Sequence, residues 1–543
     1  MSGYDNFLGE IRMFAGTYAP LGWEFCHGQY LEVSKNQGLY MLIGQMFTQD
    51  SDKPMPVDMF QLPDLRGRVP ISHGTGPHLS SRTVGQLVGC ETATVEFPTH
   101  SHSIQCGTTA SLSIPTGAYL AQHTETSGTV LYMYGSARLT GHMNSKTIGP
   151  NSDTGGKSRP NMMPSLGINF IIATSGLFNA DQNKEPQDTT PSFVGEVRFF
   201  SHSMEEGFGW VRCDGRAIDY NAFDELGVVL GDTYGSTEHT FNLPDMRGRT
   251  FLGIDGTKYK LAKPGGAETV SLAGNFPAHT HPLRATTEVG KSSTPVGNML
   301  GACSSEIANT QPYAASATSG QTLGAMFVEY EGTEQQPNMQ PSLVVDGHIC
   351  WHRSNIDTPY IGEVRAFAVD IKPEGWLLCD GVLYAKNVPK YAALFSLISY
   401  SFGGDGILYF AVPDFRGRVP VGAGQGSSLT ERKLAGRFGA TEFTPTADQF
   451  PPHSHSTLVS EFTASSKKCA ENTLASAIAP EAGGRSDPFN MYSDSQDNIV
   501  EMASGVVSTE GTTTFTACNN MQPYLPMYFY ICYDGAFPSR PQS

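Results

Sequence analysis

Leu62-Pro63-Asp64-Leu65-Arg66-Gly67-Arg68 recurs as Leu243-Pro244-Asp245-Met246-Arg247-Gly248-Arg249 and again as Val412-Pro413-Asp414-Phe415-Arg416-Gly417-Arg418. Three copies at domain-scale spacing mark the chain as three versions of one module, not a solenoid of short repeats. Working outward on the N-terminal side, each copy opens alike: Gly9-Glu10-Ile11-Arg12, Gly195-Glu196-Val197-Arg198 and Gly362-Glu363-Val364-Arg365. A Trp, a Cys and a Gly follow in order: Trp23, Cys26 and Gly28; Trp210, Cys213 and Gly215; Trp376, Cys379 and Gly381. On the C-terminal side each copy carries Phe-Pro-x-His-x-His, beginning at Phe97, Phe276 and Phe450. Each closes with Asn-Met-x-Pro at Asn161, Asn338 and Asn520, followed by an apolar run.

Composition bounds the partners. The 543 residues carry 35 Lys and Arg against 52 Asp and Glu, a net charge of −17. No basic run is present, so neither nucleic acid nor an anionic membrane surface is an expected partner. No apolar stretch is long enough to insert in a membrane as a helix. Residues Met1 to Glu10 lack the charged and apolar regions of a signal peptide. The ten cysteines form no Cys-x-x-Cys pair, and the single Cys of each Trp-Cys-Gly element reads as a buried thiol.

The fold class is α+β and strand-leaning. Glu10 to Phe14 and its counterparts alternate polar with apolar, the pattern of a half-buried strand. One amphipathic helix per module is expected around Leu39 to Phe47, Phe223 to Leu230 and Tyr391 to Ile398, with Ser34 and Asn221 as caps in the first two copies. The modules span residues 1–180, 192–352 and 359–543, joined by polar linkers at 180–191 and 353–359. Divergent inserts rich in Gly, Ser, Thr and Ala occupy about 103–160, 282–337 and 456–517; low in charge and without periodicity, they are expected to be loops or irregular strands that need a partner surface to order them.

Two elements carry candidate chemistry. In Pro-Asp-x-Arg-Gly-Arg, the Asp (Asp64, Asp245, Asp414) faces two Arg (Arg66 and Arg68, Arg247 and Arg249, Arg416 and Arg418). Arg forks suit carboxylates, so local or inter-module ion pairs at a structural corner are expected rather than a ligand-binding pair. In His-x-His, residues i and i+2 project from one strand face, side by side. Six of the 15 histidines occupy this slot: His100, His102, His279, His281, His453 and His455. Modules set around a pseudo-threefold axis bring all six imidazoles together, and six nitrogens mean octahedral coordination, favouring iron or nickel over tetrahedral zinc. A closed shell makes such a metal structural. Modules set as a string leave each His pair alone, and the linkers permit either arrangement. No nucleophile elbow, Walker A loop or His-Glu-x-x-His is present, so the chain is not expected to be an enzyme.

Together these elements resemble the phage tail collar domain family over nearly the whole chain, as three tandem modules. The family occurs in bacteriophage tail fibres, in related contractile injection particles and in bacterial proteins known as microcystin-dependent. In the fibres three chains form a collar, His-x-His segments bind metal on the threefold axis, and a tip touches the host receptor. Here three modules share one polypeptide, which implies an intramolecular pseudo-trimer whose inserts pack as a distal tip. Tyr132, Tyr134, Tyr313, Tyr330 and Tyr492 are its candidate aromatic anchors.

The resemblance implies a structural and receptor-binding component of a phage tail or phage-like injection particle. It implies one structural metal ion on the six histidines, with iron ahead of zinc or nickel. Its expected partners are other tail or baseplate proteins and a host surface glycan or protein. Its expected location is the particle tail, assembled in the host cytoplasm. A cellular tail-collar-like binding or structural protein outside any particle is the alternative, and an enzyme acting on surface glycans comes third.

Overall fold

The computed structural model describes residues 7–48, 56–95, 159–176, 193–202, 209–255, 257–272, 335–352, 359–446 and 511–539, the six histidines of the His-x-His segments, and short strands and scattered positions of the inserts. Strands dominate; among the described residues there are three α-helices, Gln37–Ile43, Asp224–Leu230 and Pro389–Ile398. The linker positions 180–191 and 353–358 lie outside the described residues.

Each module is built on a long closing strand: Ser165–Ala173, Ser342–Cys350 or Tyr524–Cys532. The opening strand of the same module pairs with it antiparallel, with Ile11 opposite Ile172, Val197 opposite Ile349 and Val364 opposite Ile531. The Trp strand lies on the same partner, with Trp23 opposite Ala173, Trp210 opposite Cys350 and Trp376 opposite Cys532.

The modules are joined by backbone. The three opening strands pair with one another: Glu10 with Phe200, Met13 with Val364, and Glu196 with Phe367. Each closing strand also pairs, in parallel, with the strand that follows a neighbour's Pro-Asp-x-Arg-Gly-Arg. Ser165 meets Val419, Ser342 meets Val69, and Tyr524 meets Thr250. Module one thus leans on module three, two on one, and three on two, and these twelve strands, with Leu87–Val88 and Arg437–Phe438, form one continuous sheet of 14 strands among the described residues. A single apolar core runs through all three modules, from Ile11, Phe60 and Leu166 through Phe199, Phe251 and Leu343 to Phe410, Phe415 and Phe529.

The inserts interlace in the same cyclic sense. Ile104–Gly107 and Tyr119–Ala121 pair with Thr322–Leu323 and Tyr313–Ala314 of the second insert. Arg284–Val289 and Met299–Ala302 pair with Ile499–Glu501 and Tyr492–Ser493 of the third. Leu458–Thr463 and Thr473–Ala477 pair with Gly141–His142 and Tyr134–Ser136 of the first. Each four-stranded sheet therefore draws two strands from each of two inserts.

Two sequence expectations are corrected. The opening strands are buried along their whole length, polar positions included, with Glu10 at 0% and Arg12 at 5% exposure. The polar face that an isolated strand turns to water meets the other two modules here. The helix caps also differ. Asn36 and Phe223, not Ser34 and Asn221, precede the first two helices, and neither makes a side-chain capping bond. Ser34 lies in the 3-10 turn Val33–Lys35 ahead of the first helix. Asn221 instead sits in a turn, its backbone N–H donating to Asp219 Oδ1 at 2.7 Å.

Candidate metal centre

Three clusters lie where the modules meet, and each is assembled from one sequence element repeated three times. The first uses the opening Glu-x-Arg. Positions i and i+2 point to one face of the strand, so each Glu reaches its own Arg: Arg12 Nε donates to Glu10 Oε1 at 2.6 Å and Arg365 Nε to Glu363 Oε1 at 2.7 Å, with Arg198 and Glu196 paired likewise. Each Arg also reaches the next module. Arg198 Nη1 donates to Glu10 Oε1 at 2.6 Å, Arg365 Nη1 to Glu196 Oε2 at 3.0 Å, and Arg12 Nη1 lies 3.2 Å from Glu363 Oε1. The result is a closed, charge-neutral ring of three carboxylates and three guanidiniums. Each guanidinium lies over its module's Trp, 4.7 Å from Trp23, 4.9 Å from Trp210 and 4.9 Å from Trp376. Burial pushes the Glu363 carboxyl up, but the Arg12 and Arg365 guanidiniums outweigh it and hold the pKa at about 2. Glu10 is lowered in the same way by Arg12 and Arg198.

The second cluster uses the Asn of the closing motif. Asn161 Nδ2 donates to the Met339 carbonyl at 2.7 Å, Asn338 Nδ2 to Met521 at 3.0 Å, and Asn520 Nδ2 to Met162 at 2.9 Å. Buried Arg159 reaches Asn161 Oδ1 and Asn520 Oδ1, both at 3.2 Å, and caps the Pro337 carbonyl.

The third cluster is the histidine stack. Phe97, Phe276 and Phe450 pack together beneath it, with Phe97 ring centroids 5.9 Å from Phe276 and 5.0 Å from Phe450. These apolar plugs fix where the following His-x-His leaves each module: Phe97 lies 4.7 Å from the His279 ring and 3.8 Å from His453. Each of the six imidazoles offers a nitrogen that lies within 4.8 Å of the nitrogens of the other five. Five of the rings are buried and His453 is half-buried. Burial first, then the neighbouring His281, His279, His455 and His100, pushes the His453 pKa down to about 2, which keeps it neutral and a competent ligand.

The donor set fits one six-coordinate ion. His100 Nε2 lies 3.1 Å from His279 Nε2 and 3.1 Å from His453 Nε2.

The Pro-Asp-x-Arg-Gly-Arg residues form corners at the module seams. Arg66 grips Asp64 through two bonds of 2.9 and 3.0 Å, Arg247 grips Asp245 at 2.9 and 3.1 Å, and Arg416 grips Asp414 at 2.9 and 3.3 Å. The second Arg of each motif (Arg68, Arg249, Arg418) bonds the carbonyl of the same Asp at 3.2, 3.2 and 3.3 Å. Between them Gly67, at φ +70°, sends its N–H to Gly422 of module three at 2.8 Å. These guanidiniums are committed to their own carboxylates. The motif Cys residues, Cys26, Cys213 and Cys379, are buried, and burial pushes each thiol well above its ordinary pKa.

Of the tyrosines read as anchors, Tyr132 and Tyr330 lie outside the described residues. Tyr134, Tyr313 and Tyr492 begin insert strands.

The family model described as Phage Tail Collar Domain matches residues 9–70, 195–251 and 362–420. The chain carries three tandem modules of the phage tail collar family. Protein RhiB of Rhizobium leguminosarum bv. viciae is 33% identical over 115 residues, covering 18% of this chain and 51% of that protein. The chain thus spans about half the length of the curated relative it matches. No solved structure matches the chain. No helix among the described residues is long and apolar enough to cross a membrane.

Proposed function

We propose that this chain is an intramolecular pseudo-trimer, a structural and receptor-binding component of a phage tail or phage-like contractile injection particle. One polypeptide supplies what three chains supply in a fibre. The observation that carries this reading is the meeting of all three His-x-His segments in one cluster, with the nitrogens of six residues within 4.8 Å. The six histidines hold one structural octahedral metal, iron ahead of nickel or zinc. That ion draws three covalently linked modules to a common axis and performs no turnover, so the chain is not an enzyme. The interlaced inserts form the distal tip. Their Gly, Ser, Thr, Asn and Tyr chemistry suits many weak polar contacts with a host-surface glycan or protein. The collar docks on other tail or baseplate proteins.

Mass spectrometry of sedimented, detergent-washed particles from producing cells tests this. The reading expects the chain in the particle fraction and expects purified chain to compete with particles for host cells. A second reading is a cellular collar protein outside any particle, favoured by the similarity to a bacterial protein, RhiB. It expects the chain entirely in the unsedimented fraction and no competition.

A further inference from the structure

The seams between modules are alike in backbone and unlike in chemistry at one point. At the seam of modules one and two, His73 follows the strand Val69–Ser72 of module one. Its Nδ1 lies 2.7 Å from Asp346 Oδ1, and its backbone N–H donates to Val345 at 2.8 Å. Asp346 Oδ2 lies 3.7 Å from His348 Nδ1, and Arg212 Nε lies 3.7 Å from Asp346 Oδ1. His202, 5% exposed, faces the same group and interacts electrostatically with Asp346 and His348. Asp346 and His348 are 0% exposed. Aligned on the repeated motifs, the same positions at the seam of modules two and three hold Ile254, Tyr528, Tyr530, Val369 and Leu378. At the third seam they hold Ala423, Asn169, Ile171, Gly16 and Phe25. Three imidazoles around one carboxylate are thus confined to one seam.

We infer that the His73–Asp346–His348–His202 cluster is an acid-sensitive latch on the seam between modules one and two. The titratable and charged groups facing it are Arg212 from the Trp strand, Asp346 itself from the closing strand, and the buried Cys213 thiol, which interacts with Asp346. Asp346 thus faces both His73 and Arg212 through one carboxylate. A proton on His202 puts an uncompensated positive charge into the buried space it shares with His348. Burial pushes the His202 pKa down to about 4, with Asp346 opposing and His348 adding to the drop. A base whose pKa is lowered in the closed seam takes up a proton on opening. The seam therefore weakens as the pH falls from the ordinary histidine value of 6.5 toward 4. This reading does not rest on the histidine stack binding metal.

Hydrogen exchange of the full chain at about pH 7.5 and about pH 5, corrected for intrinsic rates, compares the three seams within one molecule. The latch predicts that protection at residues 69–73 and 342–350 falls about tenfold or more relative to 250–254 with 524–532 and 419–423 with 165–173. The double variant His202→Val, His348→Ile, which installs residues found at those positions in the sibling modules, is expected to abolish the difference. Equal loss at all three seams in the unmodified chain overturns the latch. So does an undiminished difference in the double variant.

Discussion

The ring of Glu10, Arg12, Glu196, Arg198, Glu363 and Arg365 and the stack of six histidines are both buried clusters built by three copies of one dipeptide spacing. They differ in charge balance. The ring alternates acid and base, so each charge it buries has a partner inside the protein. The stack is six imidazoles, and burial and its neighbours hold His453 neutral. The first cluster is complete from the chain alone; the second has the composition of a ligand shell. The Glu and Arg of the ring sit on strands, one face of each strand meeting the other modules, whereas the six histidines lie outside the named strands, contrary to the strand-face expectation, and meet where three segments converge.

The largest effect expected from breaking this comparison lies at the ring. Arg198→Met leaves Glu10 and Glu196 buried with one partner fewer. It should cost about 3–5 kcal/mol in denaturant unfolding, while the double variant Glu196→Met, Arg198→Met should recover part of that loss. The stack should respond to metal where the ring does not. A chelator, or His281→Ala, should lower stability by about 2.7–4 kcal/mol if the site holds its ion at about 100–1,000 times its Kd. The ring variant should keep its metal wherever it remains folded.

Acid sharpens the comparison further. The folded pKa of Glu363, about 2, lies below its ordinary 4.5. The stability it contributes is therefore complete above pH 4.5 and is lost as the pH falls from there toward 2. A melting-temperature series across that window, with and without Glu363→Gln, checks the sign.

The smallest effect belongs to the rim. Glu268 binds Arg82 and Ser80, and Glu91 binds Arg432 and Thr430, clamping two seams. At the third, Thr441 takes the equivalent place, and Tyr259 packs edge-to-face on Tyr524 at 5.6 Å. Glu268→Gln should cost about 1–2 kcal/mol, reduced by added salt.

The repeats, the strand-leaning fold and the histidine positions are legible in the sequence because each is a local pattern. The function of Glu-x-Arg is not. A strand with Glu10 and Arg12 on one face reads as half-buried, since nothing within a single module shows that two other modules cover that face. The Asn ring is hidden for the same reason: Asn161, Asn338 and Asn520 stand out as repeated, but their partners are carbonyls of the neighbouring module. The helix starts were misplaced because Ser34 and Asn221 are good caps by type, yet local turns claim both positions. The interlacing of the inserts has no short-range signal, because every insert sheet is completed by strands from another module.

The most direct test of the central claim is metal content per chain measured together with molar mass, by elemental analysis of material taken from light-scattering chromatography. The account predicts one octahedral metal ion on a 58.6 kDa monomer. A folded monomer without metal, or a trimer carrying three ions, would contradict it.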